Sequence, residues 1–213
     1  MGLDWIPTDI AKPSFEAERL TLRKRIAWNL PFFTIRWKKR YDEIVIPAYA
    51  CVGAPRVGFD TAADDWARAR YAEKATKDCS EHEFLQRMHG YYVLQLVKSP
   101  GVPQFTHGGL YNGVDNTSYR GQFVIACKDL ITDDLAKRGY GSFTAAEAIA
   151  YGRQLFERAR GVAGQHGLDV TTATAAPDDD PVDSIAGQIE IFRTAAEWFQ
   201  FWGLKGHSIE PWA

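Results

Sequence analysis

Toward the C-terminal end the apolar positions recur at helical spacing. Ile185, Ile189, Phe192, Ala196 and Phe199 form one stripe, Ile191, Ala195, Trp198 and Trp202 form another beside it, and Glu190, Arg193 and Glu197 fall on the opposite side. So wide an apolar arc predicts a helix over 181–203 that is covered on a broad face and sits centrally in the core. Gln188 lies inside the arc, a polar position that needs a partner once buried. A milder stripe, Ala148, Tyr151, Leu155, Ala159 and Val162, predicts a second helix over 145–165 with Gly164 and Gly167 near its end.

Helix-start signals divide the rest of the chain. Ser80 with Glu83, and Thr144 with Glu147, have the spacing at which hydroxyl and carboxylate satisfy each other's orphan amides. Thr61 with Asp64 is a weaker version, Asp180 before Pro181 reads as an N-cap followed by proline at the first helical position, and Pro13–Ser14 suggests a similar start. These signals predict helices over 14–29, 62–78, 81–98, 123–138, 145–165 and 181–203. Strand patterning is thin. Phe33, Ile35 and Trp37 alternate with Thr34, Arg36 and Lys38, and Ile44, Val45 and Ile46 follow, which fits one small β-hairpin near 33–46 or, alternatively, an irregular helix. The expected fold is mainly α, a single domain over 1–213 built as a bundle of about six helices.

Two stretches resist either pattern. Residues 99–120 (SPGVPQFTHGGLYNGVDNTSYR) hold two prolines and four glycines, and so long an irregular segment is usually a binding loop, a lid or disorder. The acidic connection at 170–180 reads as a solvated surface crossing.

Composition narrows the class. With 213 residues, 46% hydrophobic and 24% charged, the chain can bury a core, which excludes wholesale disorder and low-complexity architectures. Three cysteines at 51, 79 and 127 are odd in number and unpatterned, so a disulfide framework is not expected and a cytoplasmic location is. The first residues, MGLDWIPTDIAKP, lack the basic start and apolar run of a secretory leader, and no run of apolar residues suits a bilayer, so no membrane partner is expected. The balance of 25 basic and 27 acidic residues conceals an asymmetry. Residues 12–41 carry a formal +7 and those from Asp169 onward −6, and the two are expected to meet in the fold. The 7 Trp, 9 Tyr and 12 Phe divide likewise. Some follow helical periodicity and belong to a core, whereas those at 28–41 and 105–119 do not.

Candidate chemistry follows mostly by elimination. His82 and His89 share a helical face but lie about 10.5 Å apart along its axis, too far to share one ion. Cys79 with His82, joined by Cys51 or Cys127, imitates a zinc set, yet Ser80 capping a helix between them and the absence of any CxxC argue against it. No cofactor is therefore expected. Gly139, Tyr140 and Gly141 resemble the front of a dinucleotide turn but lack the buried strand it requires, and neither a GxxxxGK[ST] loop nor a GxSxG elbow is present.

The 99–120 loop remains. His107, Tyr111, Asn112, Asp115, Asn116, Tyr119 and Arg120 combine a group that titrates near neutrality, phenols, amides, a carboxylate and a fixed cation. The expectation is an enzyme or receptor for a small polar or anionic molecule, with Arg120 clamping the anion, His107 or His89 moving a proton, Tyr119 beside them, and Tyr111, Asn112, Asp115 and Asn116 binding. The rival is an interaction module in which the basic aromatic segment 12–41 docks a protein, a second copy of the chain in a homo-oligomer or a nucleic acid, the last disfavoured by the net charge of −2. On the loop reading, Arg120→Ala and His107→Ala abolish ligand binding with the melting temperature unchanged.

Overall fold

The computed structural model describes residues 2–27, 31–73, 79–97, 117–176 and 179–212. In chain order the elements are β1 (Asp4–Pro7), β2 (Ile10–Ala11), α1 (Glu16–Ala27), α2 (Pro31–Ile44), β3 (Val45–Ile46), α3 (Ala48–Cys51), α4 (Thr61–Glu73), α5 (Glu81–Met88), a 3₁₀ turn (Leu94–Leu96), α6 (Gly121–Ala126), α7 (Asp133–Gly139), α8 (Ala145–Gln165), α9 (Ile185–Leu204) and β4 (Ile209–Trp212). The fold is mainly α. Its small antiparallel pairings join β1 to β4 and β2 to β3.

Both capping boxes form. Thr144 accepts from the Glu147 amide while Glu147 accepts from the Thr144 amide, and Ser80 and Glu83 do the same at α5. α8 and α9 then pack antiparallel as the main core pair. Two glycines set how close they come. A Cβ on Gly152 would lie 2.8 Å from the Ala196 carbonyl oxygen, and one on Gly203 2.8 Å from that of Ala145. Gln188, the polar residue in the apolar arc, is buried and fully used. Its Oε1 accepts from the Asp129 amide, and its Nε2 donates to the Asp129 carboxylate and the Val182 carbonyl.

Several boundaries differ from the sequence expectation, each for a tertiary reason. The helix expected over 123–138 is two. Between α6 and α7 the chain turns so that the Leu130 and Asp129 carbonyls accept from the Arg158 guanidinium on α8, and Thr132 caps the new start. The helix expected over 81–98 stops at Met88, because Gly90 at φ 94° turns the chain to pair with residues 55–57 through Gly90 N–Val57 O, Val57 N–Tyr91 O and Val93 N–Pro55 O bonds. α9 starts at Ile185 under a Ser184 cap. Pro181 lies outside it, its backbone folded so tightly over Gly187 that no Cβ would fit. The helix expected over 62–78 runs from Thr61 to Glu73, and residues 74–78 lie outside those described.

Of the two alternatives for 33–46, residues 31–44 take the helix, and strand pairing is confined to Ile10↔Ile46 and Ala11↔Val45. On α2, Trp37, Tyr41 and Ile44 share a face and pack with Leu22 and Phe15. Ile35, which a strand would have placed beside Trp37, is left 81% exposed. Among the described residues, the ion pair of Arg23 with Glu210 joins the +7 and −6 segments. Arg40 instead pairs with Glu18 inside its own segment and with Glu43 just beyond it, and Arg193 with Glu197 inside the acidic one.

The N-terminal segment enters the core. Trp5 is completely buried, its indole N–H donating to the Gly139 carbonyl at 2.7 Å and its ring set against Tyr119, Tyr151 and Phe199. β4 lies alongside in the register Trp5↔Pro211 and Ile6↔Glu210. Among the described residues no helix is long and apolar enough to cross a membrane.

The α8–α9 crossing predicts a contrast between two glycines of the same helix. Gly152→Val is expected to lower unfolding free energy by about 2 kcal/mol or more through overpacking. Gly161→Ala, with open space around its Cβ, is expected to raise it by about 0.5–1 kcal/mol through backbone entropy. Urea melts of the two variants measure both.

Candidate functional site

β1 leaves the core at Pro7 and the chain turns outward through Thr8 and Asp9 before α1. Thr8 is held on both sides, its amide donating to the Ser208 carbonyl and its own carbonyl accepting from His207 Nδ1 at 2.6 Å. A carbonyl only accepts, so His207 carries its proton on Nδ1. Burial against the edge of Trp202 lowers the His207 pKa and keeps the ring neutral, with its Nε2 buried and unpaired among the described residues.

Between this turn, α1, α2 and β4 lies a cleft of about 560 Å³. Ile6, Pro7, Pro211 and Trp212 give it apolar walls, and Thr8, Asp9, Arg23, Tyr41, Thr117 and Glu210 supply its polar groups. Arg23 and Glu210 are paired to each other. Arg19 stands behind the wall, donating through Nη1 to the Asp9 carbonyl at 2.7 Å, with its Nε buried and unpaired among the described residues.

Asp9 is the unusual member. Its carboxylate has no hydrogen-bond partner among the described residues, and burial followed by repulsion from Asp42 raises its pKa despite the opposing pull of Arg19 and Arg23. Burial, then the charge of Asp9, likewise raises the pKa of Tyr41, opposed by Arg19. The cleft therefore holds an acid without a hydrogen bond and a phenol that stays protonated near neutrality. A group that destabilises the fold in the absence of a ligand is a common mark of a binding site.

The sequence-chosen residues distribute differently. His107, Tyr111, Asn112, Asp115 and Asn116 lie outside the described residues. Tyr119 is buried in the core, stacked on Trp5, with its hydroxyl donating to the Ile191 carbonyl and sharing a hydrogen bond with Thr194. Arg120 is half-exposed and pairs with Asp4 through Nε at 3.3 Å. His89 is exposed at the C-terminus of α5, its ring against Phe59 and over Gly58, in a cluster apart from Tyr119. From the described end of the 99–120 loop, Thr117 lines the cleft.

No group of three or more His, Cys, Asp or Glu able to hold a metal ion occurs among the described residues. Burial raises the thiol pKa of Cys127 strongly and that of Cys51 to a lesser degree, which disfavours the reactive thiolate at both. The chain's candidate chemistry thus centres on Asp9, Arg23, Tyr41 and Glu210. Arg23 and Tyr41 fall in the basic aromatic segment, where charge and rings drew attention to them. Asp9 and Glu210 carried no signal, because the cleft that both line is formed only once β1 pairs with β4.

The shift at Asp9 has a defined pH signature. Its folded-state pKa is raised, so its contribution to stability is present below the ordinary carboxylate range and is lost as pH rises through the folded value. Asp9→Asn removes that loss. The variant is expected to melt at a higher temperature than the parent at pH 7 and at no higher temperature at pH 3, as thermal melts across that range would read.

No protein-family model, curated protein or solved structure matches this chain, so the reading of the site rests on its own residues.

Proposed function

We propose that this protein binds a small polar molecule in the cleft between the terminal strands and the α1–α2 hairpin. The observation that carries the reading is the Asp9 carboxylate, which lines the cleft with no hydrogen-bond donor among the described residues. The volume of about 560 Å³ suits a small ligand, since ligand clefts generally span roughly 300–1,000 Å³ and combine apolar walls with a few convergent polar groups. The 99–120 loop keeps a part in this reading through Thr117 at the cleft wall, while Arg120, paired with Asp4, belongs to the fold's own electrostatics.

The exposed side of α2 supports a second reading. Arg36, Lys38 and Lys39 are exposed near the bare Ile35, with Asp42 and Glu43 on the same patch, a charged and partly apolar face suited to an interaction module. Binding of a labelled oligonucleotide that weakens steeply with salt and is lost in a Lys38→Glu/Lys39→Glu variant would favour it.

The cleft reading is tested by ligand-observed NMR with a library of polar small molecules. Binding molecules are expected to lose their signal with Asp9→Asn and with Tyr41→Ala, while both variants keep the helical circular dichroism of the parent. Hits insensitive to both substitutions would place the binding elsewhere.

A further inference from the structure

We infer that the cleft takes a primary amine, an ammonium group carried on a short apolar body, with Asp9 as its counter-ion. The inference deepens the small-molecule reading above and rests on it. It follows from which charges at the cleft are already committed. Arg23 and Glu210 face each other as an ion pair, so neither is free to select a ligand's charge. The guanidinium of Arg19, which is not part of the lining, gives one N–H to the Asp9 backbone carbonyl, and its Nε is buried without a partner among the described residues. Lying behind the wall, it offers no anion clamp in the cleft itself.

The charged group left over is an acceptor. Asp9 receives no hydrogen bond among the described residues, and the repulsion it feels from Asp42 is larger than the opposing pull of either Arg19 or Arg23. An ammonium ion answers both, because it brings donors to the carboxylate and offsets the repulsion between the two acids. Thr8 adds a buried hydroxyl oxygen with no partner among the described residues, beside the carboxylate in sequence and in the lining of the same cleft.

The rest of the wall selects the body of the ligand. Ile6, Pro7 and Pro211 are apolar, and Trp212, 71% exposed, presents a ring with room for an alkyl or aryl group and for cation–π contact. A metal cation fits less well, because such ions need several oxygen ligands and only one carboxylate of the cleft is uncommitted.

The test uses three probes of matched shape, 2-phenylethylamine, 2-phenylethanol and phenylacetate, titrated into the full chain by calorimetry and by NMR of the tryptophan indoles. The amine is expected to bind at least tenfold more tightly than the alcohol or the acid, to shift the Trp212 indole resonance, and to lose at least tenfold in affinity in Asp9→Asn. Glu157→Gln, at an exposed position of α8 that is not part of the cleft lining, serves as a second variant and is expected to retain the parent's amine affinity and selectivity. If phenylacetate or the alcohol binds best and moves Trp212, the amine assignment is overturned while the cleft reading stands. If none of the three moves Trp212 and the polar library also gives no Asp9-dependent hit, both readings fall.

Discussion

The burial of a single indole, Trp5, is the constraint on which the molecule's arrangement turns. Its ring meets Tyr119, Tyr151 and Phe199, and its N–H reaches the Gly139 carbonyl at 2.7 Å. Two glycines make room for it, since a Cβ on Gly121 would lie 2.8 Å from the ring and one on Gly139 would lie 3.3 Å from it. Removing an aromatic ring from such a site costs about 3–5 kcal/mol, a large share of the roughly 5–15 kcal/mol by which domains are stable. Anchored there, the N-terminal strand pairs with β4 on one side and exchanges backbone hydrogen bonds with Tyr119 on the other. Segments from both ends of the chain and from the end of the long loop are thereby fixed against the α8–α9 pair.

The cleft is a consequence of that anchoring. Once β1 is held, the chain leaves the core through Thr8 and Asp9, and β4 brings Glu210 opposite Ile6. The α1–α2 hairpin closes the remaining side with Arg23 and Tyr41. Gln188 in the core and Asp9 in the cleft are treated in opposite ways. Gln188 is buried with each side-chain polar atom bonded, as an unpaired group there would cost about 1–3 kcal/mol. Asp9 is partly buried with its carboxylate unbonded among the described residues, and a fold that satisfies Gln188 so fully leaves that acid available for something else.

Much of the helical architecture was legible along the chain because its causes are local. The Thr144–Glu147 and Ser80–Glu83 boxes act within one turn, and the stripes of α8 and α9 are periodic in sequence. The misplacements arose where distant partners intervened. The break between α6 and α7 answers to Arg158 on α8, and the stop after Met88 answers to residues 55–57. At Phe33–Lys38 a short alternation fitted strand and helix alike, and packing of Trp37 and Tyr41 on Leu22 chose the helix.

The site was less legible for the same reason. Tyr119 looked like a loop phenol because nothing near it in sequence announces Trp5 or Thr194 as its neighbours. Arg23 and Tyr41 stood out through local charge and aromatic content, but Asp9 and Glu210 are separated by nearly the whole chain. By itself the sequence determined the mainly α class, the helix caps and the central place of α9, all of which depend on contacts within a few residues. Only the tertiary structure decided that the two ends pair, that Trp5 belongs to the core, and that Asp9, Arg23, Tyr41 and Glu210 line one cleft, because long-range pairing and burial fix which distant side chains become neighbours.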